Sequence, residues 1–208
     1  MRRHSARPAH RLAVAALLSV AAGVAAGFAA PASAQERAPF TGPRVEVLAG
    51  YDRTDGGRPV AGAPDKLDGI YVGGAAGYDL ALGNTLRLGA EAGVGFNVND
   101  EANGTIGATT YRLASGRDID LSLRLGAVVA PRTLIYAKAG YANSRFSGQV
   151  ASGATTVRAG SNEDGLRLGA GVEQMLSDHA YLKGEYRYTT YGHGVDRHQL
   201  LAGVGYRF

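Results

Sequence analysis

Leu86 to Asn97 is the clearest stretch of a pattern that runs through most of this chain. Leu86, Leu88, Ala90, Ala92, Val94 and Phe96 hold the even positions; Arg87, Gly89, Glu91, Gly93, Gly95 and Asn97 hold the odd ones. Successive side chains of an extended strand point to opposite faces, so this segment has one wholly apolar face and one that is charged or bare. The same period of two predicts seven further strands, over 44–52, 69–80, 118–130, 133–143, 165–175, 180–190 and 197–208. Their lengths suit a tilted crossing of hydrocarbon.

The connections alternate as well. Residues 81–84, 130–132 and 176–178 are tight turns, whereas 53–68, 98–117 and 144–164 are long and polar and 192–196 is shorter. Eight antiparallel strands with short turns on one side and long loops on the other predict an all-β fold, an eight-stranded antiparallel transmembrane up-and-down β-barrel. A soluble barrel also alternates, with its apolar face inward. Three features favour the opposite orientation. The polar face mixes glycine with Arg, Lys, Asp and Glu, as a narrow lumen requires. Tyr51, Tyr78, Phe96, Tyr141, Tyr188, Tyr206 and Phe208 lie near strand ends on the apolar face, forming a candidate aromatic girdle at the two lipid–water interfaces. The last strand alternates without a break up to its aromatic final residue, Phe208.

The first 34 residues stand apart. Arg2, Arg3, Arg7 and Arg11 precede an apolar run from Leu12 to about Ala30, and Ala32-Ser33-Ala34 supplies a small-residue cleavage pattern. This predicts a signal peptide over 1–34, cut before Gln35, and one barrel domain over 35–208. The chain's 22 Lys+Arg against 18 Asp+Glu include four arginines and no acid in that leader, which leaves 18 of each sign behind it. The basic balance of the whole chain therefore belongs to the leader, and no nucleic-acid partner is expected. The absence of cysteine excludes disulfides, thiolate metal sites and a cysteine nucleophile.

The leader, the eight strands and the terminal run Leu200-Leu201-Ala202-Gly203-Val204-Gly205-Tyr206-Arg207-Phe208 resemble the small outer-membrane β-barrel proteins of Gram-negative bacteria, the opacity-protein or OmpA-like porin family. The resemblance covers the mature chain and concerns the barrel domain only; with no periplasmic domain expected after the last strand, peptidoglycan binding is not implied. It implies a multi-pass protein of the outer membrane, its loops facing the cell exterior, surrounded by outer-membrane lipid and lipopolysaccharide. It also implies that Leu200, Ala202, Val204, Tyr206 and Phe208 form the signal read by the barrel-assembly machinery.

With the polar face inward, Arg44, Glu46, Asp79, Arg87, Glu91, Arg124, Lys138, Arg167, Glu173, Lys183, Glu185, Arg187 and Arg207 line the lumen, with Asp118 and Asp120 near the outer rim. Unpaired buried charge is costly, so these side chains are expected to pair. Turn symmetry suggests Asp79 with Arg87 and Glu173 with Lys183; barrel closure suggests Glu46 with Arg207. Two readings of such a lumen stay open: a polar plug that fixes the register, or an arginine-lined ion path. The width of an eight-stranded barrel favours the plug.

Catalytic signals are weak. His193 and His198 flank the last outer loop beside Asp196, and Ser144 and Ser147 are candidate nucleophiles, but nothing in the sequence brings these groups together. The spacing of His193, Asp196 and His198 permits a zinc site without arguing for one. No catalytic residue, metal or cofactor is assigned. The expected role is structural: maintaining the envelope and presenting loops for contact with a host surface or other extracellular ligand. A narrow porin for small solutes is the alternative, followed by a lipid-modifying enzyme.

Overall fold

The computed structural model of the chain describes residues 38–56, 66–98, 101–106, 109–152 and 155–208. The expected leader lies outside these residues. The strands are β1 (Gly42–Asp55), β2 (Lys66–Leu82), β3 (Leu86–Val98), β4 (Glu101–Ile106), β5 (Thr109–Ala130), β6 (Thr133–Ser152), β7 (Thr155–Met175), β8 (Ala180–Tyr191) and β9 (Asp196–Arg207). All pair antiparallel in the order β3-β2-β1-β9-β8-β7-β6-β5-β4, and a further β3–β5 pairing closes the ring. β3 pairs with β5 from Arg117 to Ala127 and β4 pairs with β5 from Thr109 to Ala114, so β3 and β4 together make one wall position. The barrel therefore has eight staves. Its first and last strands are zipped from Arg44↔Arg207 to Asp55↔Asp196.

The packing is inside-out relative to a water-soluble domain. Leu121, Leu123, Leu125, Leu166, Leu200 and Val47 stand on the outer surface, Leu123 being 66 % exposed, whereas Arg167 and Glu173 are 0 % exposed in the interior. Lipid covers the outer face, and the strands supply no open edge whose backbone would be left unpaired in hydrocarbon. On β5 the outward apolar positions run from Ile119 to Val129. At the upper margin of this band a local device recurs three times. The outward Tyr51, Tyr141 and Tyr188 donate their hydroxyls to Asp68, Asp164 and Asp196, each one rung higher on the adjacent strand. Each ring thus lies against the apolar band while its hydroxyl reaches a polar group above it, as interfacial aromatics do. Phe96 shares this margin, while Tyr78, Tyr206 and Phe208 lie at the short-turn end, with Tyr206 stacked on His179.

The strands outrun their sequence-based limits. β5, β6 and β7 have 22, 20 and 21 residues. At about 3.3 Å per residue and a tilt near 40°, such a strand rises more than about 50 Å, roughly twice the apolar band of a barrel. Much of 98–117 and 144–164 is therefore paired β-structure continuing the wall outward, a correction to their reading as loops. β6 and β7 stay in register up to Ser152↔Thr155. A bulge between Ser115 and Asp118, opposite Ser144–Phe146, shifts the register where the wall leaves the apolar band.

Candidate functional site: the charged lumen

The thirteen lumen side chains named from the sequence all point inward, and none is more than 5 % exposed. At the short-turn end, Asp79 accepts from Arg44 at 3.1 Å and Arg207 at 2.7 Å, and lies 3.3 Å from Arg124. Glu173 joins Arg124 at 2.6 Å and Arg207 at 2.9 Å. One layer up, Glu46 holds Arg44 at 3.2 Å, Lys183 at 2.6 Å and the Tyr181 hydroxyl at 2.8 Å. Glu91 is the hub: Arg44 at 2.7 Å, Lys138 at 2.6 Å and Lys183 at 3.3 Å converge on its carboxylate. Glu185 binds Lys138, Lys183, Arg187 and the Tyr136 hydroxyl.

Above this hub Arg187 lies 3.6 Å from Asp120, which Arg167 binds at 2.9 Å. Arg167 also reaches Asp118 at 2.9 Å, and Arg197 links Asp118 at 3.5 Å to Asp52. Among the described residues, eight acids (Glu46, Asp52, Asp79, Glu91, Asp118, Asp120, Glu173, Glu185) and eight bases (Arg44, Arg124, Lys138, Arg167, Lys183, Arg187, Arg197, Arg207) thus form one connected network. It runs from the short-turn end to the level of Asp52 and Arg197, where the wall leaves the apolar band. Equal numbers of each sign are what a water-poor interior demands.

The specific pairs suggested by turn symmetry and closure are not the ones formed. Glu173 and Lys183 are direct cross-strand neighbours, yet Glu173 goes to Arg124 and Arg207 while Lys183 goes to Glu46, Glu91 and Glu185. Arg207 stands opposite Arg44, not Glu46, and Asp79 takes three other arginines in place of Arg87. Across so narrow a lumen a long side chain reaches the far wall as readily as its neighbour, so convergence on a shared carboxylate wins over adjacency.

The sequence reading left out Asp52, Arg197 and Gln199, which form the upper end of the network: Gln199 donates to Asp52 at 2.7 Å and Arg197 donates to Asn97 at 2.7 Å. The parity of β1 and β9 was the available signal, since all three continue the inward series. It gave no role to the tyrosines that the same parity turns inward. Tyr136 and Tyr181 stand directly across from Gly171 and Gly205, and Tyr71 lies over Gly73 and Gly95; a Cβ at Gly73 would come 2.6 Å from the Tyr71 hydroxyl oxygen. The glycines leave room for rings, and the rings face cations. The Arg124 guanidinium carbon is 4.2 Å from the Tyr136 centroid, and that of Arg187 is 5.8 Å from Tyr71. Several N–H groups of these two arginines make no hydrogen bond; carboxylates at 3.3 Å (Asp79 to Arg124) and 3.6 Å (Asp120 to Arg187) face them, and the ring faces add to the favourable surroundings of the two cations.

At the short-turn end the chain turns across the barrel mouth before entering β1. Phe40 is buried there with φ of 61°, a left-handed conformation that costs a non-glycine residue about 1–2 kcal/mol. Arg87 donates through Nε to the Pro39 carbonyl at 2.7 Å and through a terminal nitrogen to the Leu86 carbonyl at 2.7 Å.

Ser144 lies in the lumen, donating to Asp118 at 2.7 Å and paired with the Tyr191 hydroxyl at 2.7 Å, while Ser147 is exposed on β6. His198 lies on the other side of the wall, bonded to Tyr186 at 2.7 Å, and Asp196 serves Tyr188. Ser144 and His198 thus occupy opposite faces of one sheet, and the side chain of His193 lies outside the described residues. Among the described residues no cluster of three His, Asp or Glu side chains is arranged to hold a metal ion. Leu200, Ala202, Val204, Tyr206 and Phe208 form one outward row along β9 and its end, Tyr206 and Phe208 meeting edge-to-face at 5.0 Å.

A closed eight-stave barrel with an apolar exterior and an ion-paired interior defines a transmembrane β-barrel of the bacterial outer membrane. Residues 20–208 match the outer membrane protein beta-barrel domain family, and the chain belongs to that family. It is similar to the 25 kDa outer-membrane immunogenic protein of Brucella ovis, 28 % identical over 88 % of this chain and 91 % of the relative. The 31 kDa outer-membrane immunogenic protein of Brucella melitensis is 26 % identical over 81 % of this chain and 84 % of its own. Among solved structures, Neisserial surface protein A superimposes with a TM-score of 0.55 at 20 % identity, covering 81 % of this chain and 98 % of that one. The attachment invasion locus protein Ail of Yersinia pestis, in complex with the heparin analogue sucrose octasulfate, gives 0.52 at 12 % identity, covering 80 % and 99 %. These structural likenesses show the shared fold.

Proposed function

We propose that the barrel is a sealed scaffold that helps maintain the envelope and works through what its outer hairpins touch. The observation that carries this reading is the continuous network of eight acids and eight bases through the membrane-spanning part of the barrel, which fills its interior with mutually neutralised side chains. An ion entering the lumen would have to break buried pairs, and a charge left without its partner in such an interior costs about 3–5 kcal/mol. Among the described residues the outward continuations of β4 to β7 carry the wall furthest beyond the apolar band, and that surface is suited to contact with a host surface or an extracellular ligand. The immunogenic relatives and the sulfated-sugar complex of Ail are compatible with a displayed, contact-making surface. With Ser144 inside and His198 outside, a hydrolytic centre has no support in the geometry.

Outer-membrane lipid and lipopolysaccharide are the barrel's permanent surroundings in this reading. Residues 1–34 are removed on export, and the outward row Leu200, Ala202, Val204, Tyr206 and Phe208 is the part offered to the barrel-assembly machinery. The test is planar-bilayer conductance of the protein recovered from outer membranes, whose first residue also reports the cleavage point, expected at Gln35. A silent bilayer with folded protein present is expected. Discrete steps that change on Arg124→Ala or Arg167→Ala would replace the scaffold by a narrow porin. Deleting Phe208 should lower the yield of folded protein in the outer membrane; an undiminished yield would remove its assembly role.

A further inference from the structure

We propose that the Pro39–Phe40 turn is a stopper that closes the periplasmic mouth of the barrel and is seated by Arg87. Arg87 is a buried base that, among the described residues, has no carboxylate partner within ion-pair distance. A buried guanidinium without a carboxylate is unfavourable unless its N–H groups are otherwise satisfied. Here they are satisfied by main-chain carbonyls: Pro39 at 2.7 Å, Leu86 at 2.7 Å and, more weakly, Asn84 at 3.4 Å. The terminal nitrogens of this guanidinium are thus held by carbonyls at the β2–β3 turn, while its Nε holds the Pro39 carbonyl of the segment that crosses the mouth.

Phe40 is the body of the stopper. Its backbone takes φ of 61°, where glycine would sit without strain, yet the position carries a large ring that is 2 % exposed. The Arg207 guanidinium carbon lies 5.9 Å from the ring centroid, so the ring underlies the lowest layer of the network, where Arg207 binds Asp79 and Glu173. The turn is closed on itself by Thr41 Oγ1 donating to the Ala38 carbonyl at 2.7 Å, and it leads into β1, whose Pro43 carbonyl accepts from the Phe208 amide at 3.0 Å. A ring in this position keeps periplasmic water from that layer, and ion pairs kept from water are the stronger for it. The seal of the lumen is thereby completed by a short segment outside the strands, one that can leave without unpairing any ladder.

The chain has no cysteine, so Leu134→Cys, inward and fully buried at the same end, would carry the sole thiol. Its modification by a small charged thiosulfonate added from the periplasmic side reads whether the mouth is open. Protection is expected with Phe40 in place and with Phe40→Leu. At least about tenfold faster labelling is expected with Phe40→Gly and with Arg87→Ala, each checked for fold by its heat-dependent gel shift. Phe40→Gly is the decisive variant, because a glycine there relieves the backbone and should only strengthen a simple turn. Equal labelling in the parent and Phe40→Gly proteins would overturn the stopper, as would fast labelling of the parent. The inference rests on the sealed-lumen reading for its consequence alone: a parent protein that conducts yet protects the thiol would end the sealed lumen and leave the stopper standing.

Discussion

Glu173 shows how much one side chain carries in an interior of this kind. It is wholly buried on β7 and accepts from Arg124 at 2.6 Å and Arg207 at 2.9 Å, and both arginines also lean on Asp79. Removing the carboxylate leaves two guanidinium groups sharing one acid, with Arg44 beside them on the same Asp79. Loss of one partner from a buried pair costs about 3–5 kcal/mol, because the charge left behind cannot return to water. Glu173→Ala should therefore lower the urea midpoint of the lipid-inserted protein clearly, read by circular dichroism or gel shift since the chain has no tryptophan. Glu173→Gln, which keeps an acceptor and the shape, should fall between the two. A Glu173→Ala midpoint equal to that of the parent would mean that Asp79 and water carry the arginines unaided.

Strand identity was legible wherever one face meets lipid and the other meets charge. Leu86 to Asn97 and the lower half of β5 alternate without error, and their inward and outward sets coincide with the structure. Above the band the contrast vanishes. Thr155 to Asp164 of β7 offers Thr, Val, Arg, Ala, Gly, Ser, Asn, Glu and Asp, residues that water accepts on either face, so polarity no longer distinguishes a paired strand from a loop. Those strands persist because at least one edge of each stays paired in a ladder with its neighbour. The bulge at Ser115–Asp118 also reverses parity, which no period-two pattern carries across. Ion pairing was legible in composition and illegible in detail, since Glu46–Lys183 and Arg124–Glu173 are settled by reach across the lumen. The outer hairpins should accordingly be separable from the barrel. Removing 101–115 together with 146–161 cuts all three ladders near the level of Arg145↔Asn162 and leaves the apolar band intact. The trimmed chain is expected to keep its heat-dependent gel shift and to lose binding to whatever surface the parent engages. A trimmed chain that no longer folds would mean that the extensions are part of the stabilising wall, and retained binding would move the contact surface elsewhere.

Among the described residues the barrel has no large apolar centre to collapse around; the interior apolar cluster there is Leu48, Tyr71 and Leu201. The apolar surface that drives folding is the outer belt, and it becomes favourable only when lipid replaces water there. Stability should then depend on depth along the outer face more than on the identity of any one contact. Leu123, at the middle of the outward series on β5, and Ile119, at its upper end next to exposed Arg117, are on the same strand and the same face. An arginine at the bilayer midplane of such a barrel costs about 2–4 kcal/mol, falling to about 0–1 kcal/mol near the interface. Leu123→Arg should consequently lower the unfolding midpoint in lipid vesicles by several times as much as Ile119→Arg. Because both variants add the same charge to the same strand, propensity and net charge cancel in the comparison and only the lipid slab distinguishes them. Equal losses at the two positions would mean that the band is placed wrongly along β5, and with it the level at which the wall leaves the membrane.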